Sequence, residues 1–157
     1  MENDLSNYRR NYKKIELSRK DISDNPMEVF QKCWSFKPAL MPKRCFTAMT
    51  ISTIGTDGFP KNRAVLLKKY TWEGFIFYTN YNSEKGKAIE INPNVCLSFL
   101  WHNVERQVII KGVAEKISEN LSDGYFESRP DGSKLGAWAS DQSEVVPSRK
   151  YLDDRLH

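Results

Sequence analysis

The sequence predicts a mainly β protein of the α+β class, with antiparallel strands and flanking helices, and three observations point to it. Between residues 46 and 117 the apolar residues recur mostly with a period of two, and turn signals such as Asp57-Gly58 and Gly74 separate the runs. A single helical stretch, which begins after Ser83, interrupts these runs. Helical periodicity is otherwise confined to residues before 37 and after 117. Consecutive strands with short turns indicate an antiparallel barrel.

Composition and cysteine usage favour one folded domain in a reducing compartment. A chain of 157 residues with 39% hydrophobic and 12% aromatic content can bury roughly 70% of its unfolded surface. It has no apolar run of membrane-spanning length, and its first residues lack a signal-peptide pattern. Cys33, Cys45 and Cys96 have no CxxC spacing, so we interpret them as reduced thiols. We therefore expect a cytoplasmic protein that does not enter a membrane.

The net charge of +4 is concentrated at the beginning of the chain. Residues 1–20 contain six Lys/Arg and three Asp/Glu, a balance of +3, so the remainder is nearly neutral. We interpret residues 1–24 as a basic arm and residues 25–157 as a single domain. A duplex-binding protein would carry its excess charge on the folded body, and we predict no nucleic-acid partner. A barrel that binds single strands on its aromatic residues remains an alternative on this pattern alone.

The first helix and strand have clear boundary signals. Asn25 is a helix cap followed by Pro26, and the helix should run to about residue 36 with Phe30 and Trp34 facing the body. From residue 46 to 54 a Thr-rich run of period two predicts a strand, and Asp57-Gly58 predicts the turn after it.

Residues 63–85 are the stretch around which the rest is arranged. The runs 63–68 and 75–80 predict two strands paired with each other around Gly74, and Ser83 caps a helix with Lys85 in its first turn. Arg63, Lys85 and the free N–H groups of a helix start suit a phosphate. The alternative is a hairpin with solvated cations at its ends.

Strands at 95–101 and 106–117 follow, with His102-Asn103 turning between them. Ser118 should cap a helix that residues 128–130 end, and a second short helix is expected at 132–139. Residues 141–143 form a loop, and a last amphipathic helix should start at Ser148 and continue to His157.

Six segments, in the same order, resemble the pyridoxamine 5'-phosphate oxidase family. They cover nearly the whole chain from about residue 20, and they are residues 63–68, 77–80, Ser83 with Lys85, 101–108, 125–130, and 136–138 leading to 142–143. The resemblance implies an FMN-binding split β-barrel that forms a homodimer. It also implies oxidation of pyridoxamine or pyridoxine 5'-phosphate to pyridoxal 5'-phosphate, with O2 as acceptor and H2O2 released.

The resemblance also implies roles for individual residues. Those matched to FMN contacts are Arg63, Ala64, Val65, Leu66, Leu67, Lys68, Tyr78, Thr79, Lys85, Gln107, Gln142 and Ser143. Those matched to the substrate phosphate are Lys68, Tyr125, Arg129 and Ser133. Without the resemblance, Tyr125 would be core, Arg129 a solvated cap and Gln142 an ordinary loop residue. With His102 and His157 the only histidines, the sequence indicates neither a catalytic acid or base nor a metal site.

Two departures from the family pattern affect the expectation. Glu84 stands where the family commonly has Arg, and a carboxylate there would repel a phosphate unless it turns away. The family's Trp-x-Gly and Arg-Leu-His-Asp-Arg segments have no match up to His157. We expect a form of this length to fold, dimerise and bind FMN more weakly, with little turnover. The alternatives are an FMN- or pyridoxal-phosphate-binding protein without turnover, and another split-barrel flavin oxidoreductase.

Overall fold

A computed structural model describes residues 7, 11–14, 16–35 and 46–156 of the chain. Within them the strands are β1 (Ala48–Ile54), β2 (Pro60–Leu66), β3 (Lys69–Tyr70), β4 (Phe75–Ile76), β5 (Asn94–Trp101) and β6 (Arg106–Val113). The helices are α1 (Pro26–Ser35), α2 (Glu84–Ile91), α3 (Glu119–Glu127), α4 (Asp131–Ala139) and α5 (Arg149–Asp154), with 3-10 turns at Arg19–Asp21 and His102–Val104. The predicted α+β class with antiparallel strands is confirmed.

Four strands form one antiparallel sheet in the order β2-β1-β5-β6. Along β1 and β5 buried residues alternate with less buried ones, so the sheet has an inward and an outward face. The inward face presents Met49, Ile51, Leu97, Phe99 and Trp101, all at most 6% exposed. The Trp101 indole N–H donates to the Phe46 carbonyl oxygen at 3.2 Å, which satisfies its only polar atom inside the core.

Helix α1 covers the inward face of the sheet. Asn25 Oδ1 accepts from the Met27 N–H at 3.0 Å, as the cap prediction requires. Phe30 is buried and makes edge-to-face contacts with Phe75 and Phe99, with ring centroids 4.9 and 5.5 Å apart. Aromatic packing of this kind adds about 0.5–1.5 kcal/mol per pair beyond the burial of area. The residue at which we predicted the helix to end, Phe36, lies outside the described residues.

The predicted pairing of residues 63–68 with residues 75–80 is wrong for most of its length. Strand β2 pairs with β1 from Ala48↔Leu66 to Ile54↔Pro60. The turn between them is closed by Gly58, whose φ of +82° suits glycine. The Gly74 turn joins only the two-residue strands β3 and β4, and the Lys68 N–H adds one hydrogen bond to the Ile76 carbonyl at 2.9 Å.

Other boundaries also differ from the prediction. Strand β6 ends at Val113 instead of residue 117, and α5 ends at Asp154 instead of continuing to residue 157. Cys33 and Cys96 are free thiols, and Cys45 lies outside the described residues. In the described part of the arm, the Lys14 backbone N–H donates to the Glu105 carboxylate at 2.8 Å. None of the helices in the described part of the chain is long and apolar enough to cross a bilayer.

Candidate functional site

The N-terminus of α2 is the structural centre of the candidate site. Ser83 is its cap and is fully buried: its hydroxyl donates to the Asn80 carbonyl at 2.6 Å and accepts from the Gly86 N–H at 3.4 Å. A Cβ on Gly86 would lie 2.0 Å from the Tyr81 carbonyl oxygen. The absence of a side chain at Gly86 therefore allows the 80–83 turn to lie directly against the first turn of the helix.

Lys85 points from this helix turn into the protein and is only 8% exposed. Its ammonium donates to Ser83 Oγ at 3.2 Å and to Gln142 Oε1 at 3.0 Å. Burial lowers the pKa of Lys85, the positive charge of Arg63 lowers it further, and Glu84 opposes both effects. Neither of its two hydrogen-bond partners is charged, so the ammonium retains a strong attraction for an anion.

Arg63 is held on the inward face of β2 by neutral acceptors. Its Nη1 donates to Thr53 Oγ1 at 2.7 Å and to the Lys61 carbonyl at 3.0 Å. Thr53 is 2% exposed and belongs to the adjacent strand β1. The guanidinium is thus fixed in position without having its charge neutralised, which leaves it available to an anionic ligand.

These cations surround a cavity of about 400 Å³, which we call the cationic cavity. It is lined by Lys61, Asn62, Arg63, Glu84, Lys85, Gln142 and Ser143. Three side chains that are cationic at neutral pH thus face a single carboxylate. Ser143 has a φ of +74°, a left-handed conformation that is uncommon outside glycine. The cavity is suited by charge to a phosphate.

A second cavity, of about 850 Å³, adjoins the first, and Lys85 and Gln142 line both. We call it the long cavity. One wall is formed by Ala64, Val65 and Leu66 of β2, and helices α3 and α4 line it as well. A volume of 300–1,000 Å³ is typical of small-molecule sites. The two cavities together offer a charged end and a larger, partly apolar compartment.

Two tyrosines connect the strand side of the long cavity to α3. The rings of Tyr78 and Tyr125 stack with centroids 3.7 Å apart and planes 8° from parallel. The Tyr78 hydroxyl also lies 3.4 Å from the Leu121 carbonyl oxygen. Lys68 Nζ stands 5.6 Å from the Tyr125 ring centroid, within cation–π range. Tyr125 is therefore a wall of the cavity and is not a core residue.

Arg129 lies where α3 passes into α4. Its Nη2 donates to the Ser133 carbonyl at 2.9 Å, and its guanidinium lies 5.6 Å from the Phe126 ring centroid. Both Arg129 and Ser133 line the long cavity. A guanidinium has five donors, and among the described residues the Ser133 carbonyl takes one of them, so the others can reach a ligand.

Most of the residues matched to ligand contacts come together at these cavities. The long cavity contains Ala64, Val65, Leu66, Lys68, Tyr78, Thr79, Lys85, Tyr125, Arg129, Ser133 and Gln142, and the cationic cavity adds Arg63 and Ser143. Leu67 is buried in the core at 3% exposure. Gln107 is exposed on the outward face of β6, opposite Leu100, and lines neither cavity.

Sequence reasoning missed Lys61, Asn62 and Trp138, which also line the cavities. The alternation of β2 could have indicated Lys61, because it lies two residues before Arg63 and so shares its face. Among the described residues no group of three or more His, Cys, Asp or Glu side chains is arranged to hold a metal ion.

The antiparallel sheet and its flanking helices place the chain in the structural class of split β-barrels. Two solved structures share this fold. PhzG from Burkholderia lata 383, in complex with tetrahydrophenazine-1-carboxylic acid, superposes with a TM-score of 0.80 at 21% identity, over 87% of this chain and 67% of that one. A pyridoxamine 5'-phosphate oxidase-related, FMN-binding protein from Nostoc punctiforme PCC 73102 has a TM-score of 0.61 at 14% identity, over 80% and 68%.

The chain belongs to the pyridoxamine 5'-phosphate oxidase family, whose sequence model matches residues 42–157. The pyridoxine/pyridoxamine 5'-phosphate oxidase of Flavobacterium johnsoniae is 62% identical over 98% of this chain and 72% of its own length. The protein of the same name from Neisseria gonorrhoeae is 46% identical over 95% of this chain and 70% of its own length. Both relatives are thus named as oxidoreductases.

Proposed function

We propose that the chain binds FMN with its phosphate in the cationic cavity and its isoalloxazine ring in the long cavity. The observation on which this rests is the junction of the two cavities at Lys85 and Gln142. One ligand with an anionic end and a flat, largely apolar body would fill both. Lys85 and Arg63 would hold the phosphate, because their charges are not neutralised by protein carboxylates.

The lining of the long cavity fits the flavin ring. Ala64, Val65 and Leu66 offer an apolar strand edge, and the Tyr78 ring adds an aromatic surface. Thr79 and Gln142 supply side-chain oxygen and nitrogen atoms for the polar edge of the ring. Polar and apolar groups both contribute to this lining, so it can meet the apolar body of the ring as well as its polar edge.

We further propose oxidation of pyridoxamine or pyridoxine 5'-phosphate to pyridoxal 5'-phosphate. The substrate loses two electrons and two protons at its 4' carbon and the attached nitrogen or oxygen, and O2 receives them as H2O2. With pyridoxamine 5'-phosphate the product of this step is an imine, which water hydrolyses to the aldehyde with release of ammonia. FMN supplies the hydride acceptor when bound. The substrate phosphate would be bound by Lys68, Tyr125, Arg129 and Ser133, which lie around the long cavity away from the cationic one. Recognition of this second phosphate would fix the substrate carbon over the ring.

The chain's own contribution is therefore positioning. Among the described residues around the long cavity there is no histidine or carboxylate. The lining therefore offers positive charge and shape, and its other polar groups are hydroxyls, the amides of Asn80 and Gln142, and the Trp138 indole N–H. The stacked Tyr78 and Tyr125 narrow the space and exclude water from one side. A reaction in which the cofactor accepts the hydride needs this orientation more than it needs a strong base.

Flavin binding and turnover can be tested separately. Flavin fluorescence is titrated with the protein for FMN and for riboflavin, and FMN should bind more tightly because only it has a phosphate. H2O2 release is then followed with pyridoxamine 5'-phosphate and with unphosphorylated pyridoxamine. Selective turnover of the phosphate ester supports the proposed reaction. FMN binding without turnover would indicate a binding protein, turnover of unphosphorylated substrates another flavin oxidoreductase, and failure to bind FMN would contradict the site.

A further inference from the structure

We propose that Lys61 is an additional phosphate-binding residue of the cationic cavity, and that Glu84 holds it in place until the phosphate takes over the contact. This inference rests on the proposed function, since the phosphate is that of FMN. It concerns two residues, neither of which was matched to a ligand contact. Lys61 precedes Arg63 by two positions in β2, and Glu84 precedes Lys85 in α2.

The Lys61 ammonium lies between two carboxylates. It contacts Glu84 Oε1 at very short range and lies 2.9 Å from Asp57 Oδ2. Asp57 belongs to the turn between β1 and β2, whereas Glu84 is the first residue of α2. One cation therefore connects the β1–β2 turn to the helix N-terminus at the edge of the cavity. Because Asp57 also holds it, Lys61 would remain near the cavity after leaving Glu84.

The absence of a side chain at Gly55 leaves room for Lys61. A Cβ added at Gly55 would lie 2.7 Å from Lys61 Cε and 2.5 Å from Asp57 Oδ1. Any larger residue at Gly55 would push both side chains away from their present positions. The lysine side chain is also only 28% exposed, although its partners Asp57 and Glu84 are each 49% exposed.

The charges of the cavity explain why the contact with Glu84 should be exchanged. Lys61, Arg63 and Lys85 contribute three positive charges, while Glu84 on the lining and Asp57 beside Lys61 contribute two negative charges, which leaves an excess of about one. A phosphate monoester carries about −1.5 to −2 at neutral pH, so it is matched better once Glu84 has left the contact and the excess is about two. The charge of Arg63 lowers the pKa of Lys85, and the charge of Glu84 raises it. Glu84 thus reduces repulsion among the cations, and a bound phosphate would take over that role.

The exchange is consistent with the protonation states of the pair. Hydrogen bonding to Lys61 lowers the pKa of Glu84, and the contacts with Glu84 and then Asp57 raise the pKa of Lys61. Both groups are therefore charged over the whole neutral range. A phosphate that attracts Lys61 leaves the Glu84 carboxylate at the half-exposed rim, where water can solvate it.

The test compares FMN with riboflavin in four variants of the full chain. Lys61→Met should lower the affinity for FMN about fivefold, as expected for a partly exposed charge contact. The affinity for riboflavin should be unchanged. Lys61→Arg should bind FMN nearly as well as the parent, because it keeps the charge. Glu84→Gln should raise the affinity for FMN by about two- to threefold, because it removes a charge that repels the phosphate and releases Lys61. Lys87→Met is the matched control, since this lysine is paired with Glu144 and lines neither cavity.

The outcomes separate this inference from the proposed function. If the parent chain fails to bind FMN, both are overturned. If the parent binds FMN and Lys61→Met binds it equally well, only the role of Lys61 is overturned. Equal losses for FMN and riboflavin would make Lys61 a structural residue and also contradict the inference. Unchanged or weaker FMN binding by Glu84→Gln would contradict the exchange of partners.

Discussion

At the scale of single residues, Lys85 is the cation on which the proposed phosphate contact depends most directly. Lys85→Ala should lower the affinity for FMN by about 10- to 100-fold, because a charge-assisted contact contributes about 1.5–3 kcal/mol to binding. Riboflavin, which has no phosphate, should bind with nearly unchanged affinity. Fluorescence titration of both flavins measures the difference, with the exposed Lys87→Ala as control. Equal losses for the two flavins would mean that Lys85 does not meet the phosphate.

The lowered pKa of Lys85 predicts an alkaline limit to FMN binding. The pKa of Lys85 lies below the ordinary value of 10.5, because burial and the charge of Arg63 disfavour its charged form. FMN affinity should therefore fall as the pH rises through that lowered pKa. Lys61, whose pKa is raised, stays charged there. Titrations of FMN and riboflavin from pH 7 upwards measure this. Ionisation of the ring N3–H affects both flavins alike, so the decline attributed to Lys85 is the part seen with FMN alone, and Lys85→Arg should remove that part.

Substitution of Arg129 should affect binding of the substrate phosphate and leave binding of the FMN phosphate almost unchanged. Arg129→Ala removes a guanidinium that lines the long cavity and has donors to spare, so binding of pyridoxal 5'-phosphate should fall about 10-fold or more. FMN affinity should remain within about twofold of the parent. Absorbance titrations with each ligand measure this, and Lys134→Ala is the control. Loss of FMN as well would show that Arg129 mainly supports the junction of α3 and α4.

Single site residues were predictable from the sequence only where a local motif contains them. Arg63, Lys85 and Arg129 could be matched from local motifs, and the structure places all three at the cavities. Glu84 could only be described as a carboxylate that either repels the phosphate or turns away. Its partner Lys61 lies 23 positions earlier in the chain, so no local pattern connects the two. That pairing depends on how β2 and α2 come together.

At the scale of elements, the junction between the 80–83 turn and α2 has no room for a side chain at Gly86. Gly86→Ala should lower the free energy of unfolding by about 1–3 kcal/mol, because its Cβ would meet the Tyr81 carbonyl at 2.0 Å. FMN affinity should fall too, since the clash displaces Lys85. Urea unfolding and FMN titration measure the two effects.

The matched control for this change is Gly124→Ala in α3, where an added Cβ has nothing within 4 Å. It should be neutral or raise the free energy of unfolding by up to about 1 kcal/mol, because alanine favours helix. If the two substitutions had the same effect on stability, the close approach at Gly86 would have no energetic importance.

Element boundaries were predictable wherever a side chain caps a helix. The caps expected at Asn25, Ser83 and Ser148 all accept a hydrogen bond from the first turn of their helices. The side chain of Ser118, which was also expected to cap, makes no such bond, although α3 begins at the next residue. Strand pairing was less predictable, because residues 63–68 had two apolar neighbours in sequence and either could have been the partner. The turn at Gly58 was predictable, but the pairing over the full length of β2 also depends on the burial of the inward face of β1, which is not a local property of β2.

At the scale of the whole molecule, the outward face of the sheet predicts a homodimer. Leu66, Leu100 and Ile109 are 44, 54 and 58% exposed on that face, and Gln107, matched to a flavin contact, lies among them. A monomer would leave this apolar surface in water. We expect two copies to bury at least about 1,200 Å² in total through it.

Ile109→Glu should convert the dimer into a monomer, because a buried unpaired carboxylate is costly. Light scattering coupled to size exclusion at micromolar concentration measures the mass. Ile91→Glu, at an exposed position at the end of α2, should leave the dimer intact. A parent chain that is monomeric with flavin bound would contradict this assembly and the proposed role of Gln107.

The stacked Tyr78 and Tyr125 have a thermodynamic consequence. Tyr78 lies on the side of the long cavity proposed to hold the flavin, and Tyr125 lies on α3, which is proposed to bind the substrate phosphate. The centroids of the two rings are 3.7 Å apart. Because the two rings are in contact, a ligand that shifts either ring also shifts the other. Under the proposed function, cofactor and substrate should therefore bind cooperatively. The factor by which FMN raises the affinity for substrate must equal the factor by which substrate raises the affinity for FMN.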